Sequence, residues 1–300
     1  MPLVVKRPKM NTKIQEQHGE GCHGLFDYDL WAYDIGYAAE SGGKRASLDW
    51  VHRVVDQRIV DIQKTLQLTS YEGFLTGSGN FRYDIAVTVP YKSNRSSGRP
   101  YYWQAIRDYL KEKHHAVEVQ GIEADDALAV RQTELGNLSI IISRDKDLRQ
   151  VPGWHYGYPV GSQPEFGPWK YDEIGELELQ YFYKEVKGER QVSRTKLTGG
   201  GLKFFYSQVL TGDETDTYPG LPGVGNAGAY RLLNDCQAEE EMFEAVYLAY
   251  LERYGDEALE RMTEQAQLAW MVREYDVQNM KPVMWQPLQE ILDELNNSRA

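Results

Sequence analysis

The 300-residue chain holds 33 Lys and Arg against 45 Asp and Glu, a formal net charge of −12, and is 41% hydrophobic and 26% charged. This is the profile of a globular chain. No apolar run of about 18 residues exists to form a membrane-spanning helix. The two distant cysteines, Cys22 and Cys236, exclude a disulfide framework and a Cys/His zinc cluster. The length suits a catalytic domain with a smaller appendage, and the polar start of the chain, without an apolar signal core, points to a cytoplasmic protein.

In chain order, residues 1–23 are polar and aperiodic and are expected to form a mobile extension. Leu25-Phe26 opens a short apolar strand ending at Asp27. Leu48, Val51, Val54, Val55, Ile59, Ile62 and Leu66 recur at helical spacing, predicting a helix over 48–66. Residues 71–75 read as a strand closed by Gly77-Ser78-Gly79, and Pro100 suits the first turn of a helix running to about Lys113. A second strand is expected over 116–119, a helix over 125–135 closed by Gly136, and a β-branched strand of the buried parallel type over 138–142. This alternation predicts an α/β fold with a parallel sheet. Beyond residue 153 Gly, Pro and aromatic residues dominate; 177–186 reads as a hairpin arm and Gly199-Gly200-Gly201 as a flexible joint. From Leu202 the pattern is helical, with helices expected over 238–253 and 256–274 on either side of Gly255.

The negative charge argues against a nucleic-acid partner unless cations are concentrated locally. Two stretches run against the average. Residues 91–99 carry Lys92, Arg95 and Arg99 without an acid, and residues 184–203 carry Lys184, Lys187, Arg190, Arg194, Lys196 and Lys203 against two acids. Such runs also occur on solvated faces with no ligand.

The chemistry rests on carboxylates. Asp27 ends the first strand; Glu123, Asp125 and Asp126 open a helix; Asp145 and Asp147 follow the 138–142 strand; Asp213 and Asp216 stand in Gly-Asp-Glu-Thr-Asp. In an open parallel sheet ligands bind beyond the carboxyl ends of the strands. Taken singly, Asp125 and Asp126 fit a helix cap and a first-turn acid. Taken jointly, several carboxylates at one sheet edge repel unless cations lie between them, and hard oxygen donors suit Mg²⁺ or Mn²⁺. Gly220-Leu221-Pro222-Gly223-Val224-Gly225 adds closely spaced glycines before a helix, a pattern that lets backbone amides approach a phosphate and that also serves as a plain inter-helical turn.

This ordered set resembles the 5′-nuclease superfamily, the 5′–3′ exonucleases and flap endonucleases of bacteriophages and of bacterial DNA polymerases. Four motifs carry the resemblance, across residues 25 to about 233: Phe26-Asp27; Tyr91-Lys-Ser-Asn-Arg95; Glu123-Ala-Asp-Asp126 with Ser143-Arg-Asp-Lys-Asp147; and Gly212-Asp-Glu-Thr-Asp216 leading into Gly220–Gly225. The resemblance implies a PIN-like catalytic domain over 24–203 and a helical helix-two-turn-helix DNA-binding region over 204–300. It places Asp27, Glu123, Asp125 and Asp145 around a first Mg²⁺ or Mn²⁺, and Asp147, Asp213 and Asp216 around a second, with Asp126 nearby. It gives Tyr91, Lys92 and Arg95 to the base of a helical arch, with Lys92 at the scissile phosphate and Arg95 stabilising developing charge. Gly220, Leu221, Gly223, Val224, Gly225 and Arg231 would hold the duplex backbone, with a K⁺ ion at the turn. The implied substrate is duplex DNA with 5′ ends or flaps, or an RNA–DNA hybrid, acted on by a monomer in the cytoplasm, that of the host for a phage-encoded chain. Where the family carries a further acid at the end of the second strand, this chain has Gly77. Two readings compete: a non-catalytic DNA-binding module on the same fold, and a haloacid-dehalogenase-like phosphatase, suggested by Asp27-Tyr28-Asp29.

Overall fold

The computed structural model describes residues 22–94, 98–186, 189–276, 278–279 and 281–299. Most of the expected N-terminal extension, residues 1–21, lies outside the described residues. The first strand, β1 (Cys22–Asp27), starts at Cys22, inside the segment read as extension.

A six-stranded sheet of order β3-β2-β1-β4-β5-β6 forms the centre, from β1, β2 (Leu68–Thr76), β3 (Val117–Val119), β4 (Ser139–Ile142), β5 (Gly153–Gly157) and β6 (Phe166–Tyr171). The first five run parallel and β6 is antiparallel to β5, so the sheet is mixed rather than purely parallel. The central strands β1 and β4 are almost wholly buried, as the apolar Leu25-Phe26 and Ile140-Ile141-Ile142 runs require.

Helices cover both faces. On one side, α1 (Asp29–Glu40), α2 (Leu48–Leu66) and α4 (Trp103–His114) bury Trp31, Ile35, Val55, Ile59, Ile106 and Leu110 against Phe26, Leu75 and Ile142. On the other, α5 (Ala124–Leu135) packs Ala127 and Leu128 over Leu25 and Ile141. The short α3 (Arg82–Ile85) lies between β2 and α4 in the chain. The α2 helix has well-formed ends: the Ser47 hydroxyl accepts the Trp50 amide at 3.2 Å, and Gln67 closes the helix in the left-handed region.

A two-stranded arm, β7 (Leu177–Val186) with β8 (Glu189–Gly199), leaves the sheet. The C-terminal part is helical: α6 (Gly201–Thr211), α7 (Asn226–Leu233), α8 (Glu239–Tyr254), α9 (Ala258–Ala269) and α10 (Gln289–Arg299), around a core that includes Phe205, Val209, Phe243, Tyr250 and Met262.

Two expectations are corrected. The glycines at 199–201 are not a loose joint. A Cβ on Gly200 would lie 2.1 Å from the Tyr171 ring, and one on Gly201 would lie 2.6 Å from the Gly175 backbone, so this is a close crossing of two chain segments. The helix expected over 256–274 ends at Ala269, because the chain turns extended at Trp270 and runs on to Val272, whose amide binds Asp126 at 3.1 Å.

Candidate functional site

Because β1, β2 and β4 are parallel, their carboxyl ends share one edge, and the N-terminus of α5 returns to it. Asp27 stands at the end of β1, 2% exposed. One residue beyond β4, the Ser143 hydroxyl donates to Asp27 at 2.6 Å, and the same oxygen accepts the Asp145 amide at 2.9 Å. The Asp145 carboxylate in turn accepts the Asp147 amide at 2.8 Å. The short polar loop 143–147 is thereby folded onto the strand edge.

The electrostatics show how crowded these acids are. Burial, then the charges of Asp29 and Asp145, push Asp27 up to about 7 against the pull of its Ser143 bond. Burial followed by Asp145 raises Asp147 to about 8. Asp125 is pushed well up by burial and then by Asp27, Asp145 and Glu123, and burial, opposed by the bond from the Asp147 amide, raises Asp145. The sequence-predicted acids Asp27, Asp125, Asp145 and Asp147 therefore come together in mutual electrostatic reach.

The remaining acids sit at the rim, held by cations. Asp213 begins a tight loop in which its backbone pairs with Tyr218 at 2.9 and 3.2 Å. Burial alone would raise its carboxyl, but the Lys146 ammonium and the Thr215 and Asp216 amides hold it below the usual range. Glu123 is likewise kept low despite burial, by Arg82, Lys92 and the Tyr91 hydroxyl. Tyr91 donates toward Glu123 at 3.0 Å and Asp216 at 2.8 Å; Lys92 binds Glu123 and lies 3.7 Å from Asp216. The Lys92 amide donates to the Asp216 carbonyl at 2.9 Å, with Lys92 itself at φ 53°, a costly conformation for a side-chain-bearing residue. The motif around Tyr91 is thus docked onto both Glu123 and the 213–217 loop. Arg95 lies outside the described residues.

Asp126, read from the sequence as part of the metal set, is directed elsewhere. Arg82 binds both of its oxygens, at 2.7 and 2.8 Å, and they also accept the Glu123 and Val272 amides. No motif or spacing marks Arg82, which also donates to the Leu268 and Trp270 carbonyls and so ties the sheet edge to the end of α9. Ser143 and Lys146 stand inside a motif, but their bonds to Asp27 and Asp213 have no signal in the sequence.

At Gly77 a Cβ would lie 2.4 Å from the Val119 carbonyl and 2.2 Å from the Gln120 side-chain Nε2. No carboxylate can stand there without displacing β3.

In the glycine turn, Leu221 is buried and anchored by its amide to the Leu210 carbonyl at 2.8 Å, and Val224 packs against the helical core. Gly220 (φ 64°) is squeezed against Gly212 and cannot carry a side chain. Gly223 and Gly225 are exposed with nothing within 4 Å of a built Cβ, leaving an open backbone at the start of α7, on which Arg231 is exposed.

The donor set at the edge is all hard oxygen, buried and mutually repelling, and so fits a divalent cation. Among the described residues, no three or more carboxylates already converge as a ready ligand group. Lys92 and Lys146 lie against Glu123 and Asp213.

No protein-family profile matches the chain. It is 25% identical over 197 residues to a 5′–3′ exonuclease of Mycoplasmopsis pulmonis, covering 63% of this chain and 59% of that one. It is 30% identical over 132 residues to the flap endonuclease Xni of Shewanella pealeana, covering 43% of each. The chain thus spans less than two thirds of the length of these curated relatives. Among solved structures, a bacteriophage T5 D15 flap endonuclease pseudo-enzyme–product complex with DNA and metal ions gives a TM-score of 0.48 at 13% identity, over 82% of this chain and 98% of that one. Among the described residues no helix is long and apolar enough to cross a membrane. The curated relatives it matches are thus bacterial 5′–3′ exonucleases and flap endonucleases.

Proposed function

We propose that the chain is a divalent-metal-dependent 5′–3′ exonuclease and flap endonuclease that hydrolyses DNA phosphodiesters near 5′ ends. The observation that supports it most is the packing of Asp27, Asp125, Asp145 and Asp147 at one sheet edge, with Lys92 and Tyr91 from a separate segment bound to the neighbouring Glu123. In this reading residues 24–203 form a PIN-like catalytic domain and 204–300 a helix-two-turn-helix DNA-binding region.

Asp27, Glu123, Asp125 and Asp145 would hold one Mg²⁺ or Mn²⁺, and Asp147, Asp213 and Asp216 a second. A pair of such ions activates water and stabilises the leaving oxygen of a phosphodiester. The protein's own groups do the rest. Ser143 fixes the relative position of Asp27 and Asp145. Lys92, now against Glu123, exchanges that partner for the scissile phosphate and stabilises the charge that develops there. Arg95 acts beside it. Asp126 is a positioning residue, holding Arg82 and the start of α5. The amides of the Gly220–Gly225 turn, with K⁺, and Arg231 grip the duplex backbone. The substrate is duplex DNA with a 5′ end or flap, and RNA–DNA hybrids by the same geometry, with the chain acting as a monomer.

The test is incubation with Mg²⁺ of a 5′-labelled flap duplex and, separately, a small phosphomonoester. Short labelled oligonucleotides from the flap and no attack on the monoester are expected. Retention of intact DNA indicates the binding module, and phosphate release from the monoester alone indicates the phosphatase.

A further inference from the structure

We propose that the cleft between the base of the β7–β8 arm and the carboxylate edge is a phosphate subsite seating the single-stranded part of a DNA substrate. This deepens the nuclease reading and rests on it. The cleft has a volume of about 470 Å³ and is bordered by Arg144, Lys146 and Arg149 from the segment after β4, and by Lys196 from β8. A second cleft of about 270 Å³ shares Lys146, Leu197 and Phe204 with it and continues toward Gly212 and Asn226. A groove therefore leads from Asp145 past the arm to the start of α7, where the Asn226 side chain donates to the Thr195 carbonyl of β8 at 3.0 Å.

Three of the four cations have no carboxylate partner within ion-pair distance among the described residues, although the chain carries a net charge of −12 and Arg82, Arg107, Arg131, Arg261 and Arg273 are all paired. Arg144 is oriented by neutral acceptors, the Gln163 side chain at 2.9 Å and the Pro164 carbonyl at 3.2 Å, with the Tyr158 carbonyl as a third. Arg149 lies over the Phe166 ring at 4.7 Å, and its Nε is buried without an acceptor. A phosphate oxygen is the acceptor that a guanidinium bordering the cleft best matches. Lys196 is exposed on the arm. Of the two acids on the wall, Asp34 is already occupied, by Arg58 at 3.6 Å and the Tyr158 hydroxyl at 3.3 Å, and Asp145 belongs to the carboxylate cluster.

The volume falls in the range of sites for small ligands, about 300–1,000 Å³, which suits about one or two nucleotides of a single strand rather than a duplex. The apolar floor of Leu197 and Phe204 gives a base or sugar a surface to lie on.

The experiment measures binding with chelator present, using fluorescence anisotropy of a blunt duplex and of the same duplex with a single-stranded 5′ tail. Lys196→Ala and Arg149→Gln are each expected to weaken binding of the tailed duplex about three- to tenfold. The log–log salt slope should become shallower by about 0.7, the amount expected when one single-strand phosphate is no longer neutralised. Blunt-duplex affinity stays unchanged. Lys196→Ala, at an exposed strand position, serves if Arg149→Gln does not fold. Wild-type affinity of Lys196→Ala for the tailed duplex, or an equal loss on both duplexes, overturns the subsite alone. A wild-type protein that binds neither DNA overturns the nuclease reading and the subsite with it.

Discussion

Arg82 and Asp126 form a bidentate ion pair at 2.7 and 2.8 Å, with side chains 1% and 0% exposed. Removing one partner strands the other charge in the interior, at a cost of about 3–5 kcal/mol. Asp126→Asn and Arg82→Met are each expected to lower unfolding stability by that amount in a urea titration. The double variant should lose less than the sum. Losses below about 1 kcal/mol for both single variants would contradict the pair's anchoring role.

Lys92 tests the chemical step. Its ammonium lies against Glu123 and near Asp216, where charge develops in the proposed reaction. Lys92→Ala should lower turnover about a hundredfold or more while DNA affinity stays close to wild type, since such groups act mainly on the transition state. Single-turnover rates and binding isotherms separate the two. A pure loss of affinity at unchanged turnover would make Lys92 a phosphate anchor only.

His155 makes stability depend on pH. It is 3% exposed on β5, donates from Nε2 to the Val151 carbonyl at 2.8 Å, and is pushed down to about 4, mainly by burial. The ring is neutral when folded, whereas the unfolded chain protonates it near pH ~6.5. This contribution is complete above pH ~6.5 and is lost as the pH falls toward the folded value, up to roughly 3 kcal/mol. Between about pH 7 and pH 4, wild type should lose that much more stability than His155→Gln. Parallel stability–pH curves for the two proteins would contradict it.

The glycine turn offers a cleaner variant than its sequence suggests. Gly223 sits at φ 93°, so any side chain there strains the backbone, whereas Gly225 is at φ −100° with open space around it. Gly225→Leu should fold normally and bind duplex DNA about tenfold more weakly, since a side chain would keep phosphate from the α7 amides. Unchanged duplex affinity in the folded variant would remove the turn from the DNA-binding surface.

The fold was legible where periodicity is strong. The 48–66 helix, the 125–135 helix and the 138–142 strand match the structure to within a residue. The α1 helix was not legible, because the side opposite its buried Trp31, Ala32, Ile35, Gly36 and Ala39 carries Tyr33, Tyr37 and Ala38, so its two faces differ little in polarity. β5 and β6 were hidden in a Gly-, Pro- and aromatic-rich stretch that lacks two-residue alternation. In the site, the acids were legible as a set, but sequence could not separate Asp125 from Asp126. Successive helical residues point about 100° apart, and this turn sends one toward Asp27 and the other toward Arg82. Arg82 itself has meaning only through a partner 44 residues away. Gly77 was legible as a departure from the family pattern, but its close packing against the Val119 carbonyl had no signal in the sequence.

The central claim is that the clustered acids serve a metal-dependent cleavage of DNA. Its most direct test is a Mg²⁺ titration of metal-stripped protein on a 5′-labelled flap duplex, followed by product length. No cleavage is expected in excess chelator, with recovery of cleavage on adding Mg²⁺ or Mn²⁺ and products cut from the 5′ side. Full cleavage by the stripped protein in chelator, or no cleavage at any metal concentration by protein that binds the flap, would contradict it.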